Sequence, residues 1–125
     1  PFGYGLSYTS FAYANLKVTG GQTLTVAFDV TNTGRRAGKD APQVYLTDAA
    51  GKATQRLIGF EKIDLKPGET RRVTLTADPR LLASFDPKEK RWVLDKGAYQ
   101  VGVGAAADNL ALKGSAAMRA RTLKP

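Results

Sequence analysis

The sequence predicts an all-β domain, an antiparallel sandwich of about seven strands. Three observations predict it. Apolar residues recur at every second position in several short runs, turn-forming residues separate those runs, and no long segment repeats its apolar residues every 3.6 positions. At 125 residues the chain has the size of one domain. A chain of that size buries roughly two-thirds of its unfolded surface, so it can hold a core without covalent staples.

Phe11, Tyr13, Leu16 and Val18 mark the first strand, and their spacing slips near Asn15 as a β-bulge would make it. Gly20-Gly21 precedes the cleanest strand, in which Leu24, Val26, Phe28 and Val30 alternate with Thr25, Ala27, Asp29 and Thr31. Asn32-Thr33-Gly34 reads as the turn after it, with Gly34 a structural residue. Val44 and Leu46 repeat the alternation, and Leu57 to Leu65 is a weaker strand. Lys66-Pro67-Gly68 suits a type II turn, because proline fixes φ and glycine accepts a positive φ. Val73 and Leu75 mark the next strand. Asp78-Pro79-Arg80-Leu81-Leu82, an N-cap followed by proline, predicts a single helical turn. Trp92 is expected in the core rather than as a platform for a sugar. Tyr99, Val101 and Val103 give another strand after the break at Asp95-Lys96-Gly97, and Leu110 to Met118 a weaker last one.

Asp95-x-Gly97-x-Tyr99 has the spacing of a tyrosine corner, in which the phenol bonds back to nearby backbone. Gly97 and Tyr99 are therefore expected to be structural. The alternative is an ordinary hairpin with a half-buried tyrosine.

Composition excludes several kinds of chemistry. Histidine and cysteine are both absent, which removes Ser-His-Asp and Cys-His nucleophilic sites, zinc sites built on imidazole or thiolate, and disulfides. No D-x-D-x-D series offers a calcium loop. Gly102 and Gly104 form a G-x-G fragment without the third glycine and helix that a phosphate loop requires. A glycosidase needs two carboxylates about 5–9.5 Å apart. The acids here fall near loops and strand ends, so no catalytic residue, metal or cofactor is expected. Nineteen Lys and Arg against eleven Asp and Glu give a net charge of +8. The cations sit in turns and strand ends with no nucleic-acid-binding motif, so a solvated basic surface is expected and no nucleic-acid partner. No apolar run approaches the roughly 20 residues that span a bilayer.

The first residues are the most unusual. Phe2, Tyr4, Leu6 and Tyr8 alternate with Gly3, Gly5 and Ser7, which in an extended chain would set the bulky residues on one side. We read them as candidate contacts to a neighbouring domain. The sequence begins at Pro1 rather than Met and reads as a segment of a longer protein.

Pro1-Phe2-Gly3-Tyr4-Gly5-Leu6-Ser7-Tyr8-Thr9 resembles the opening of the C-terminal fibronectin type III-like domain of glycoside hydrolase family 3 enzymes, of the β-glucosidase and β-xylosidase type. The resemblance continues, in the family's order, through Val30–Gly34 with Gly38, Gln43–Leu46, Leu57–Ile63, Leu65–Glu69, Trp92–Leu94 and Gly97–Gly104. Singly these are common β-turn patterns, and together they are specific. Ala49–Thr54 departs from the family's pattern, as does the Ala-rich basic tail after Leu112.

The resemblance implies an immunoglobulin-like, fibronectin type III-like sandwich over residues 11–119. Residues 1–10 would link it to catalytic domains, and 120–125 would be a C-terminal tail. It also implies a parent enzyme acting on β-glycosides by retaining double displacement. In that family the nucleophilic Asp belongs to a barrel and the acid/base to an α/β domain, and neither motif is present here. The partners implied are the catalytic domains of the same polypeptide and, for the parent enzyme, a β-linked oligosaccharide. The expected compartment is periplasmic or secreted. The competing expectation is an autonomous carbohydrate- or surface-binding module using Tyr45, Trp92 or the basic loops.

Overall fold

In the computed structural model, which describes residues 10–125, two antiparallel sheets face each other across an apolar core. One is three-stranded, from β1 (Phe11–Thr19), β2 (Thr25–Asn32) and β7 (Thr70–Thr76), in the order β1-β2-β7. The other is four-stranded, from β4 (Gln43–Ala49), β5 (Lys52–Phe60), β10 (Gly97–Ala106) and β11 (Asn109–Met118), in the order β11-β10-β4-β5. Six of these strands fall where the alternation predicts them, whereas the weaker run from Leu57 to Leu65 divides: its first residues end β5, and Ile63–Leu65 forms a separate short strand in another sheet.

Alternation becomes burial directly. Along β2 every second residue is buried, so Val26, Phe28 and Val30 face the other sheet while Thr25, Ala27 and Asp29 face outward. Val44 and Leu46 answer from β4, and Tyr99, Val101 and Val103 from β10. The slip near Asn15 is a bulge. The β1–β2 register shifts between Ala14 and Lys17, and Asn15 takes φ 55°, with its amide donating to Asp29 Oδ2 at 2.7 Å. Gly68 has φ 78° in the turn before β7, closed by the bond from Glu69 N–H to the Lys66 carbonyl at 3.0 Å. Asp78 caps a 3-10 turn over Pro79–Leu81, accepting from Arg80 N–H at 3.0 Å.

The described chain has twelve strands, five of them short. β3 (Gly38–Asp40) pairs with β6 (Ile63–Leu65), and β8 (Ser84–Asp86), β9 (Arg91–Leu94) and β12 (Arg121–Leu123) form a small sheet in the order β12-β9-β8. Strands of three or four residues are too short to display an alternation. The expected tail therefore carries structure. Arg121–Leu123 pairs with Leu94–Trp92, and the Arg121 guanidinium donates to the Gln22 carbonyl at 2.7 Å.

The β4–β5 connection turns on Ala50 and Gly51, with φ 53° and 93°. Two positive φ values in sequence make a type I′ hairpin. The Ala50 N–H donates to the Ala98 carbonyl at 3.0 Å, which presses this turn against Gly97. Gly97 has φ 152°, and a Cβ built on it would lie 3.0 Å from that of Ala50. Its glycine is a matter of close approach as well as backbone.

Candidate functional site

The acids are the first place to look for chemistry, and most of them serve the fold. Asp29 on β2 accepts from the Asn15 amide at 2.7 Å and pairs with Arg72 on β7 at 3.1 Å, and these bonds, that from Asn15 first, hold its carboxyl below the usual carboxylate range. Asp48 accepts from Gly51 N–H, Glu69 from Lys66 N–H, and Asp86 from Lys88 N–H, each within one turn. Asp40 accepts the Tyr13 phenol at 2.6 Å.

A depression of about 590 Å³ is lined by Lys39, Asp40, Ala41, Gln43, Lys62, Ile63, Asp64 and Ala105. It holds two carboxylates, and the strand register shows why they make no pair. On the β3–β6 ribbon Asp40 lies opposite Ile63, and Lys39 lies opposite Asp64. Opposed residues share a face, so Asp40 and Asp64 point to opposite sides. Among the described residues no group of three His, Cys, Asp or Glu could hold a metal ion. No helix among them is long and apolar enough to cross a membrane.

Tyr13 stands in this region with its ring edge-on to Phe28, centroids 6.1 Å apart. Burial raises its phenol well above the ordinary value, and the bond to Asp40 and that carboxylate's charge push the same way. The folded protein then keeps a proton that the unfolded chain releases near pH 10. This contribution to stability is complete below that pH and is lost as pH rises through the folded value. Burial shifts Tyr99 in the same direction. Tyr13→Phe is expected to make the alkaline loss of stability shallower, measured as the urea midpoint between pH 9 and 12.

Tyr99 is 1% exposed, and its phenol donates to the Asp95 carbonyl at 2.8 Å, four residues upstream. That is the tyrosine-corner bond. Tyr99→Phe keeps the ring and removes the bond, and a loss of about 1 kcal/mol is expected in denaturant unfolding. Trp92 is half-buried rather than in the core proper. Its ring packs against the core and meets Phe85 at 5.1 Å, while Leu94, two residues further along β9, is the one this strand buries fully. The Gly34 N–H donates to Asn32 Oδ1 at 2.8 Å. Phe2, Tyr4, Leu6 and Tyr8 lie outside the described residues.

Asn32 is the residue that turn chemistry hid. It is 0% exposed, and its side chain donates to the carbonyls of Arg36 and Leu65 at 2.8 and 3.0 Å while accepting from Gly34. One amide thereby ties the end of β2 to the following loop and to β6. The signal was present, since Leu24, Val26, Phe28, Val30 and Asn32 keep a single phase. Gly102 and Gly104 serve packing. A Cβ on Gly102 would meet Leu110 Cδ1 at 2.5 Å, and one on Gly104 would meet the Asn109 carbonyl oxygen at 2.0 Å.

The cations are partly structural too. Arg56 donates to the carbonyls of Leu81 and Ala83, Arg72 to that of Asn15, and Arg80 to that of Lys124. Guanidinium forks here satisfy loop carbonyls.

Three strands packed on four, with a tyrosine corner on β10, define an immunoglobulin-like sandwich. A family model, the fibronectin type III-like domain, matches residues 40–107. The chain belongs to that family. Beta-glucosidase B of Emericella nidulans is 39% identical over 130 residues, covering 100% of this chain and 15% of that protein. Thermostable beta-glucosidase B of Acetivibrio thermocellus is 35% identical, covering 92% of this chain and 16% of that protein. The solved structure of beta-glucosidase 3B from Thermotoga neapolitana in complex with glucose superposes with a TM-score of 0.83 at 45% identity. It covers 99% of this chain and 18% of that one. A GH3 beta-glucosidase from Bifidobacterium adolescentis gives a TM-score of 0.82 at 33% identity, covering 96% of this chain and 18% of that one. The chain thus spans less than a fifth of the length of each of these relatives.

Proposed function

We propose that this chain is the non-catalytic C-terminal accessory domain of a glycoside hydrolase of the β-glucosidase type. It packs against the catalytic domains of the same polypeptide and stabilises them, while those domains hydrolyse terminal β-glycosidic bonds of a β-linked oligosaccharide. Phe2, Tyr4, Leu6 and Tyr8 are proposed to contact those domains, and the parent enzyme to be periplasmic or secreted. One observation carries the reading: almost the whole chain matches β-glucosidases, yet it accounts for less than a fifth of each. The use of its carboxylates in turns, a cap and ion pairs supports it.

The test uses the 125-residue chain alone. It is expected to leave a chromogenic β-glucoside intact and to give no heat of binding with cello- or xylo-oligosaccharides in calorimetry. Saturable heat would make it a carbohydrate-binding module instead, and cleavage of the glucoside would overturn the reading.

A further inference from the structure

The two outer faces of the sandwich differ in chemistry. On the three-stranded sheet the outward residues are polar or are small alanines. Thr25 bonds Thr76, Thr31 bonds Thr70, and Asp29 pairs with Arg72. Such a ladder of hydroxyls and charges suits water.

The four-stranded sheet presents something else at one end. Val44, Leu46, Val101 and Val103 point into the core, so Gln43, Tyr45, Gly102 and Gly104 point away from it. Register extends that outward face to β5, because Gln43 lies opposite Phe60 and Tyr45 opposite Leu57. Phe60 is 54% and Leu57 42% exposed. On the other side of Tyr45 the floor is Gly102, with Leu110 lying over it. Phe60, Leu57, Tyr45 and Leu110 thus form an apolar band across all four strands, with glycine in place of side chains at its centre. The Tyr45 phenol is already bonded to Gln43 at 2.6 Å, leaving its ring as the contact surface.

We infer that this band is the surface on which the catalytic part of the same polypeptide sits, through an apolar patch of its own. The inference rests on the accessory-domain reading above and says which face serves it. Ser10 lines a shallow groove together with Phe11, Ala105 and Asn109. Ala105 also lines the depression beside Gln43, so the chain arrives at the end of the sandwich where the Phe60–Gln43–Gly104 row lies. Protein that precedes Ser10 in the chain is delivered beside the apolar band. Exposed apolar surface of this kind marks an interaction site.

The experiment compares Leu57→Asp/Phe60→Asp with Thr74→Asp, which alters the polar face, in the full-length enzyme and in the 125-residue chain. In the enzyme the Leu57/Phe60 pair is expected to shorten the half-life of β-glucosidase activity at elevated temperature about tenfold. Thr74→Asp should leave that half-life unchanged, and the pair should leave the thermal midpoint of the 125-residue chain unchanged. An equal loss of stability in the chain alone would overturn the inference, since the two side chains would then serve the domain's own packing. A full-length enzyme indifferent to the pair would also overturn it. A third arm, deletion of residues 10–125, separates the two failures. If deletion shortens the half-life and the pair does not, the face is wrong and the accessory reading stands. If deletion has no effect, the accessory reading fails and takes the face with it.

Discussion

Asn32→Ala is expected to destabilise the domain by about 2–4 kcal/mol, because three backbone groups, the buried Leu65 carbonyl among them, lose their partners together. The carbonyls of Arg36 and Leu65 and the N–H of Gly34 surround a side chain with no exposed surface. Backbone bonds of the same residue, from Asn32 N–H to the Glu69 carbonyl and from Gly68 N–H to the Asn32 carbonyl, hold the neighbouring turn. Loss of the side chain should therefore loosen β6 and the turn before β7 together. Asn32→Asp is expected to be worse at neutral pH, since a carboxylate would face two carbonyl oxygens. It should recover part of its stability on acidification, when the protonated carboxyl regains one donor. Urea unfolding at pH 7 and pH 4.5 checks both. A loss below about 1 kcal/mol for Asn32→Ala would mean that water replaces the amide easily.

Phe28→Ala is the other large effect. The ring is fully buried at the centre of β2, between the two sheets, and Tyr13 stands edge-on to it. Removing it leaves a cavity that strands fixed in two sheets close poorly, at a cost of about 3–5 kcal/mol. The lost aromatic pair accounts for about 0.5–1.5 kcal/mol of that. Equilibrium unfolding in urea measures it, and Phe28→Leu should recover more than half. An unchanged midpoint for Phe28→Ala would contradict the placement of the core.

Much of this was legible because a half-buried strand writes its burial into the sequence. Leu24 to Val30 predicted β2 residue by residue, Asn15 marked the bulge, and Lys66-Pro67-Gly68 and Asp78-Pro79 marked the turns where they occur. What was hidden follows from the same rule. Asn32 continues the buried phase of β2 but belongs to the turn-forming residue types, and composition outweighed phase. The strands Gly38–Asp40, Ser84–Asp86 and Arg121–Leu123 are too short to show a period. On β5 the register shifts twice against β4, so alternation could not tell that Leu57 and Phe60 share an outward face. Trp92 looked like core because it is large and lies in an apolar run. Its strand pairs in the small β12-β9-β8 sheet and sends Leu94 fully into the core instead, a choice that one segment alone does not record. Gly102 and Gly104 resembled part of a phosphate loop. What requires them is the approach of Leu110 and of the Asn109 backbone from the partner strand.

The proposed packing of this domain on a catalytic part of the same polypeptide is the central claim, and scanning calorimetry of the proposed full-length enzyme measures it most directly. If the domains pack, the sandwich should unfold at a higher temperature there than as the 125-residue chain, merged with the loss of β-glucosidase activity. A separate transition at the temperature of the chain alone, with activity lost independently, would contradict it.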